Sequence, residues 1–318
     1  MAPDRGARGA EESDGSRVLT ESLAAGVEEL FRRQAGAWRL LRAGLDGLAG
    51  ARTRTVVADG AEVLLRHIPH RVASTTAAVD PSSIAKRPCF LCAANLPPEQ
   101  EGLEWAEGFT LLCNPFPIVE RHLTVVHAEH RPQAIHGRVG AMLDLASALP
   151  GSFTVYNGPR CGASAPDHLH LQAGSRSSLP VVREAAGKPG PALEAYGMRA
   201  LLLRGDRARV VGETERALAH LAEVTGREGE PWCNAAAWKE EDGSFALVLY
   251  PRSKHRPNAF HTGELTVSPA TLDMSGLLVV PFPRDFERLT GDDVAAVYRE
   301  VTLGAREFRE VVERLGSS

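Results

Sequence analysis

The sequence contains no apolar run approaching the roughly 20 residues needed to span a membrane. Its opening, "MAPDRGARGAEESDGS", lacks the apolar core of a secretory signal. It is also short of cysteine. Five are present, Cys89, Cys92, Cys113, Cys161 and Cys233, and an odd, sparse set argues against a disulfide framework. Positive charge is not in excess: 36 Lys and Arg against 40 Asp and Glu give a formal net charge of -4. A general nucleic-acid binder would carry a basic surplus, whereas a small anionic substrate needs only a few local arginines. No clean repeat is visible between the two halves. The expectation is a cytoplasmic protein with neither nucleic acid nor membrane as partner.

The 318 residues, 43% hydrophobic and 24% charged, suffice for one large domain or two modest ones. Residues 1–16 read as a disordered tail. From Val18 to Leu48 apolar residues fall at helical spacing, with Leu19, Leu23, Val27, Leu30 and Phe31 in one stripe and Trp38, Leu41, Leu45 and Leu48 continuing it. Two packed helices are expected. "TRTVVADGAEVLLRHI" reads as a hairpin turning at Asp59-Gly60. "PHRVASTTAAVDPSSIAKRP" lacks a period and reads as an ordered loop. "FTLLCNPFPI", "HLTVVHAEH", "GSFTVYNG" and "APDHLHLQAG" read as strands, and "VGAMLDLASAL" as a helix. Residues 175–193, rich in Ser, Pro and Gly, are the linker candidate. Beyond them "MRALLLRG" and "ARVVGE" read as a hairpin, and "TERALAHLAEVTG" as a helix. "WCNAAAWKEEDGSFALVLYPR" reads as a second hairpin, "MSGLLVVPF" as a strand, and the C-terminus as capped helix.

The chemistry concentrates in "YNGPRCGASAPDHLHLQAG". On a strand, His168, His170 and Gln172 share one face and Leu169 and Leu171 the other. Upstream, Asn157, Gly158, Gly162 and Ser164 form a turn of small residues and side-chain donors, suited to holding an anion against backbone amides. A neutral imidazole can attack phosphorus, provided one ring nitrogen is held as N–H by an acceptor. The Gln172 amide can grip phosphate oxygens without adding charge. Cys89 and Cys92, two residues apart, suit tetrahedral zinc, with His127, His130 and His168 as candidate further ligands. A redox pair or plain buried thiols are the alternatives.

At these residues the sequence resembles the histidine-triad superfamily, in particular its transferase branch with the signature His-x-His-x-Gln. "YNGPRCGASAPDHLHLQ" is similar to the diadenosine tetraphosphate phosphorylase (ATP adenylyltransferase) pattern. "PHR", "CFLC" and "AEH" resemble galactose-1-phosphate uridylyltransferase. The wording as a whole also resembles a bacterial family of unknown function related to both. The resemblance is dense over Cys89 to Ala173 and thin beyond, and leucines stand where the uridylyltransferase has proline and glycine between and after the histidines.

What it implies is an α+β fold of two histidine-triad-like halves, each an antiparallel sheet with packed helices. Residues 17–174 would form the N-terminal helices and first half, with the catalytic motif, and 194–318 the second. The implied activity is nucleotidyl transfer or phosphorolysis between a nucleotide or nucleotide-sugar and a phosphorylated acceptor. His170 matches the nucleophile and Gln172 the phosphate-holding glutamine, while Asn157, Ser164 and Arg71 match phosphate contacts, with Gly162 in the turn between them. Asn114 and Phe116 match the nucleoside site, and Cys89, Cys92, His130 and His168 a structural zinc set. Arg252, Lys254 and Arg256 in "YPRSKHRP" are candidates for holding phosphate or sugar, or else a solvated basic turn. Gln172, where related hydrolases have a third histidine, favours transfer over hydrolysis. A non-catalytic nucleotide-binding protein is the other alternative; the uridylyltransferase likeness suggests a homodimer and the phosphorylase likeness a monomer.

Overall fold

A computed structural model describes residues 8–72, 80–227 and 229–316. Two helices open it, α1 (Arg8–Ala37) and α2 (Arg39–Ala49). Helix α1 begins inside the segment expected as a tail, and residues 1–7 lie outside the described residues. The first hairpin, β1 (Arg52–Ala58) and β2 (Ala61–His67), turns at Asp59-Gly60, both with positive φ as such a turn requires. In the loop that follows, 73–79 lie outside the described residues, between the turn Pro69–Arg71 and the short helix Pro81–Ala85.

Then come β3 (Gly102–Trp105), β4 (Phe109–Cys113), β5 (Leu123–His127), α3 (Val139–Ala148), β6 (Ser152–Asn157) and β7 (His170–Ser175). The second half supplies β8 (Ala192–Ala195), β9 (Met198–Gly205), α4 (Arg207–Thr225), β10 (Cys233–Lys239), β11 (Phe245–Pro251) and β12 (Leu277–Val279), closing with α5 (Gly291–Val301) and α6 (Ala305–Gly316). No helix among the described residues is long and apolar enough to cross a membrane.

The α+β class is as expected, but the halves do not keep separate sheets. Nine strands form one antiparallel sheet in the order β3-β4-β5-β7-β6-β10-β11-β9-β8, joined across the halves where β6 pairs with β10. The stretch 175–193 carries the helix Pro180–Ala185, with Val181 and Ala185 buried, and the first residues of β8. "ARVVGE" is not a strand. Asp206 accepts from the Arg209 amide and caps α4, so the β-branched pair Val210-Val211 is helical. The hairpin partner of β9 is β8, whose first two residues fall inside the expected linker.

Period-two alternation explains the layering. Leu247 and Leu249 of β11 join one core with α3, α4 and α6, while Ala246, Val248 and Tyr250 join another beneath the small sheet β1-β2-β12. Strands buried on both faces read as continuous apolar runs, as "FALVLY" does. In β7, Leu171 and Ala173 enter the helix-covered core and alternate with His170 and Gln172. Leu112, Thr124, His170 and Gln172, from neighbouring strands, thus line a cleft on the face that the helices leave open.

Helix α2 positions one lip of that cleft. Gly44 sits under the loop carrying Phe116, where an added Cβ would meet the Pro115 carbonyl oxygen at 2.1 Å and Pro117 Cδ at 2.9 Å. Gly44→Ala is therefore expected to lower unfolding free energy by roughly 2–4 kcal/mol. Urea unfolding would measure it, and an unchanged midpoint would contradict the close approach.

Candidate active site

The cleft encloses about 510 Å³, a size suited to a small ligand. His170, Gln172, Asn157, Gly162, Ser164, Arg71, Asn114 and Phe116 all line it. Arg252 and Lys254 do not. Arg252 is 1% exposed, and its guanidinium donates to Asn234 Oδ1 and to the carbonyls of Val301, Pro269, Lys254 and His255. Lys254 pairs with Glu300 at 2.8 Å. Both residues brace the loop, and it is Arg256 that reaches the cleft.

His170 is 2% exposed, and its Nδ1 lies 2.8 Å from the His168 carbonyl oxygen. A carbonyl only accepts, so Nδ1 carries the proton and Nε2 keeps its lone pair. Burial lowers the pKa of the ring and favours the neutral form. The strand begins at His170, so His168 lies in the preceding turn rather than on the same strand face.

Two residues that the sequence reading missed fix this geometry. Beyond Val155–Gln172 the β6–β7 pairing stops. There the Gln133 side chain wedges in, its Oε1 accepting from His170 N at 2.8 Å and its Nε2 donating to the carbonyls of Asn157 and His170, each at 2.9 Å. His122, just before β5, accepts from the Ile118 amide at Nδ1 (3.1 Å), so its Nε2–H donates to Gln172 Oε1 (2.8 Å). With its oxygen held, Gln172 has its N–H groups to offer the cleft. Neither contact has a local sequence signal, since both are made across the sheet.

Burial pushes the His122 pKa down to about 4, with the nearby Arg71 charge acting in the same direction and the Gln172 bond against it. The unfolded chain takes up the proton first, near the ordinary 6.5, so this ring removes stability as pH falls from about 6.5 to 4. The loss amounts to roughly 3 kcal/mol. His122→Phe is expected to be less stable at neutral pH and to lose stability less steeply between pH 6.5 and 4. Denaturant midpoints across that range would test this, and parallel profiles for the two proteins would refute it.

The turn after Asn157 hangs from the second half. Asn157 Oδ1 accepts from Asn234 Nδ2 (3.1 Å), Thr271 N (2.8 Å) and Thr271 Oγ1 (2.7 Å), which turns the amide N–H groups toward the cleft. Gly162 has φ +102°, and a Cβ there would meet that of Ala270 at 2.7 Å. Arg87 Nη2 donates to the Ser164 carbonyl at 2.9 Å. Asn114, in contrast, closes its own turn through Phe116 N (2.9 Å) and Thr124 Oγ1 (3.2 Å). Phe116 is 40% exposed at the cleft. Among the described residues, the charged groups lining the cleft are Arg71, Arg87, Arg256 and Asp273. Arg87 also pairs with Asp167 at 3.8 Å. Burial lowers the Arg71 pKa to about 10, leaving it charged at neutrality, and raises that of Asp273 to about 6.

Beside the cleft, ligand atoms of Cys89, Cys92, His130 and His168 lie within 4.8 Å of one another. The Sγ–Nδ1 distances are 3.3 Å for Cys89–His168, 3.6 Å for Cys92–His168 and 3.2 Å for Cys92–His130. Tetrahedral bonds of roughly 2.3 Å to sulfur and 2.0 Å to nitrogen give edges near 3.5 Å, so the set fits a metal ion. His168 Nε2 donates to the His127 carbonyl at 2.8 Å, which frees Nδ1 as ligand. His127, the remaining candidate ligand, stays outside the cluster.

Residues 30–175 match a family described as a domain of unknown function (DUF4922). No curated protein matches the chain. Among solved structures it is similar to yeast Ap4A phosphorylase Apa2, at 17% identity and a TM-score of 0.56, covering 83% of this chain and 97% of that one. The AMP complex of the yeast enzyme aligns at 16% identity and a TM-score of 0.57, over 86% of this chain and 95% of that one. Its Ap4A complex aligns at 16% and 0.59, over 87% and 97%. The likeness is one of fold, and it runs through both halves of the chain.

Proposed function

We propose that this protein is a nucleotidyltransferase or phosphorylase working through a covalent nucleotidyl-histidine. The observation that carries the reading is the His170 tautomer: Nδ1–H is held by the His168 carbonyl, leaving Nε2 as nucleophile in a cleft large enough for a nucleotide. Nε2 attacks the α-phosphorus of a nucleotide. The N–P bond forms, the P–O bond breaks, and its electron pair leaves with a phosphate or sugar phosphate. The N–H···O=C bond steadies the positive charge that develops on the ring. An acceptor phosphate oxygen then forms a new P–O bond, and the N–P pair returns to Nε2. Gln172, Asn157 and the turn 158–165 hold the phosphate oxygens throughout.

AMP and Ap4A bound to the structural neighbours make adenosine nucleotides the first candidates, with hexose 1-phosphates the alternative acceptors. For the metal we infer zinc, in a structural role, since four protein ligands leave no open position. Intact-mass analysis after incubation with separate nucleotides and nucleotide-sugars is the test. An adduct of one nucleoside monophosphate, absent from His170→Ala, is expected. No adduct and no exchange of labelled phosphate across the panel would reject the reading.

A further inference from the structure

Gln133 holds the backbone at His170, yet the segment that carries it, between β5 and α3, has no helix or strand of its own. A long, flexible side chain places another backbone only if its own is held. On one side the segment bonds to the chain it must orient. The Arg131 carbonyl accepts from Leu169 N at 2.7 Å, and Gln133 N donates to the Pro166 carbonyl at 3.1 Å. Those bonds move with residues 166–170 and do not place them. On the other side the segment bonds to the second half. Glu230, between α4 and β10, accepts from Ile135 N at Oε2 (2.7 Å). Its Oε1 accepts from the hydroxyl of Tyr156, a buried residue of β6. Tyr156 directly precedes Asn157, whose carbonyl accepts from Gln133 Nε2 (2.9 Å). One carboxylate thus joins the segment to the strand at the spacing that the Gln133 wedge needs. Further along, Glu215 of α4 accepts from Gly137 N (2.8 Å) and pairs with His136 (2.6 Å).

We infer that Glu230 is a positioning residue for the nucleophile: its carboxylate fixes the segment 131–137 against β6, and Gln133 passes that placement to the His170 backbone. This rests on the nucleotidyl-histidine reading. Glu230 does not line the cleft and has no part in holding substrate. Its effect runs through two backbone groups of His170, the N–H and the carbonyl, which Gln133 holds at 2.8 and 2.9 Å. If the segment drifts, the His170 ring turns with its backbone and Nε2 leaves the line of attack on phosphorus. A misplacement on the order of 1 Å costs roughly 100-fold in rate. The role needs hydrogen bonds in place and not charge. Glu230→Gln keeps both bonds, since the amide oxygen accepts from Ile135 N and the amide N–H donates to the Tyr156 oxygen once that hydroxyl turns. Glu230→Ala keeps neither.

The test uses the full-length, metal-replete protein with ATP, Ap4A and UDP-glucose as probes. Glu230→Ala is expected to slow adduct formation by about tenfold or more, with the calorimetric affinity for the same nucleotide changed by less than about threefold. Glu230→Gln should recover most of the rate. In a double-mutant cycle, Glu230→Ala added to Gln133→Ala should slow the step little further, because both act through one wedge. Full rate in a folded Glu230→Ala would overturn the inference. Equal slowing in Glu230→Ala and Glu230→Gln would do so too, since it marks a role for charge, as would effects that multiply with those of Gln133→Ala. If Glu230→Ala does not fold, Tyr156→Phe decides: slower adduct formation at unchanged affinity supports the inference, and full rate rejects it. Nitrogen-15 histidine spectra supply a readout independent of turnover. The His170 Nδ1–H, donated to a carbonyl from a ring only 2% exposed, should give a slowly exchanging resonance. Its exchange should quicken by about tenfold or more in Glu230→Ala and return toward the wild-type value in Glu230→Gln. Unchanged exchange would count against the placement. If the wild type forms no adduct, the His170 reading fails, and this spectrum alone decides the role of Glu230.

Discussion

His170→Ala is expected to abolish the nucleotide adduct and to slow turnover by at least about 10⁴-fold, the scale seen when a catalytic nucleophile is removed. Substrate affinity should change little, because the phosphate grip belongs to other groups. Gln172 Oε1 is fixed by His122, and Asn157 Oδ1 by Thr271 and Asn234. Gln172→Ala is expected to retain the adduct but form it roughly 100-fold more slowly, the effect of losing one oriented donor to a charged transition state. The two variants together separate nucleophile from holder. Single-turnover mass spectrometry reads the adduct and calorimetry the binding. A His170→Ala protein that still acquires the adduct would place the nucleophile elsewhere.

Metal removal should have the second largest effect. Purified protein is expected to carry about one zinc per chain, and stripping it, or Cys89→Ser, to cost on the order of 5 kcal/mol or more of stability. Activity should fall with it, by roughly 10–100-fold. The reason lies in two atoms of one residue: Nδ1 of His168 faces the cysteine sulfurs, and its carbonyl oxygen holds the proton on His170. If the imidazole moves, the acceptor that sets the nucleophile's tautomer moves too. Elemental analysis, thermal melts and adduct rates on the same preparations check each part. A metal-free protein with unaltered melting and full adduct formation would remove the site from both roles.

Much of the fold could be read from local pattern. The alternation of His170 and Gln172 with Leu171 and Ala173, the Asp59-Gly60 turn and the helical stripe through Val27 and Leu30 each express a rule acting within a few residues. Contacts between distant segments were not legible. Gln133 and His122 act on residues 37 and 50 positions away, and nothing beside them in sequence marks the role. Arg252 and Arg256 share one basic stretch, yet one is buried on backbone carbonyls and the other reaches the cleft. Only the path of the loop separates them. "ARVVGE" misled because two valines favour a strand, while the Asp206 cap that prevails acts through a single hydrogen bond.

The seam between β6 and β10 bears on where this protein can be cut. The matched family region stops at residue 175, on the near side of that seam. A fragment ending there would bare β6 along the five residue pairs from Asn157–Asn234 to Phe153–Trp238, an open edge prone to association. It would also strip Asn157 of all three donors to its oxygen. The turn that follows Asn157 is written in one half of the gene and held in shape by the other. The smallest piece that keeps it is one that retains both, and substitutions at Asn157, Asn234 and Thr271 should be tolerated only in concert.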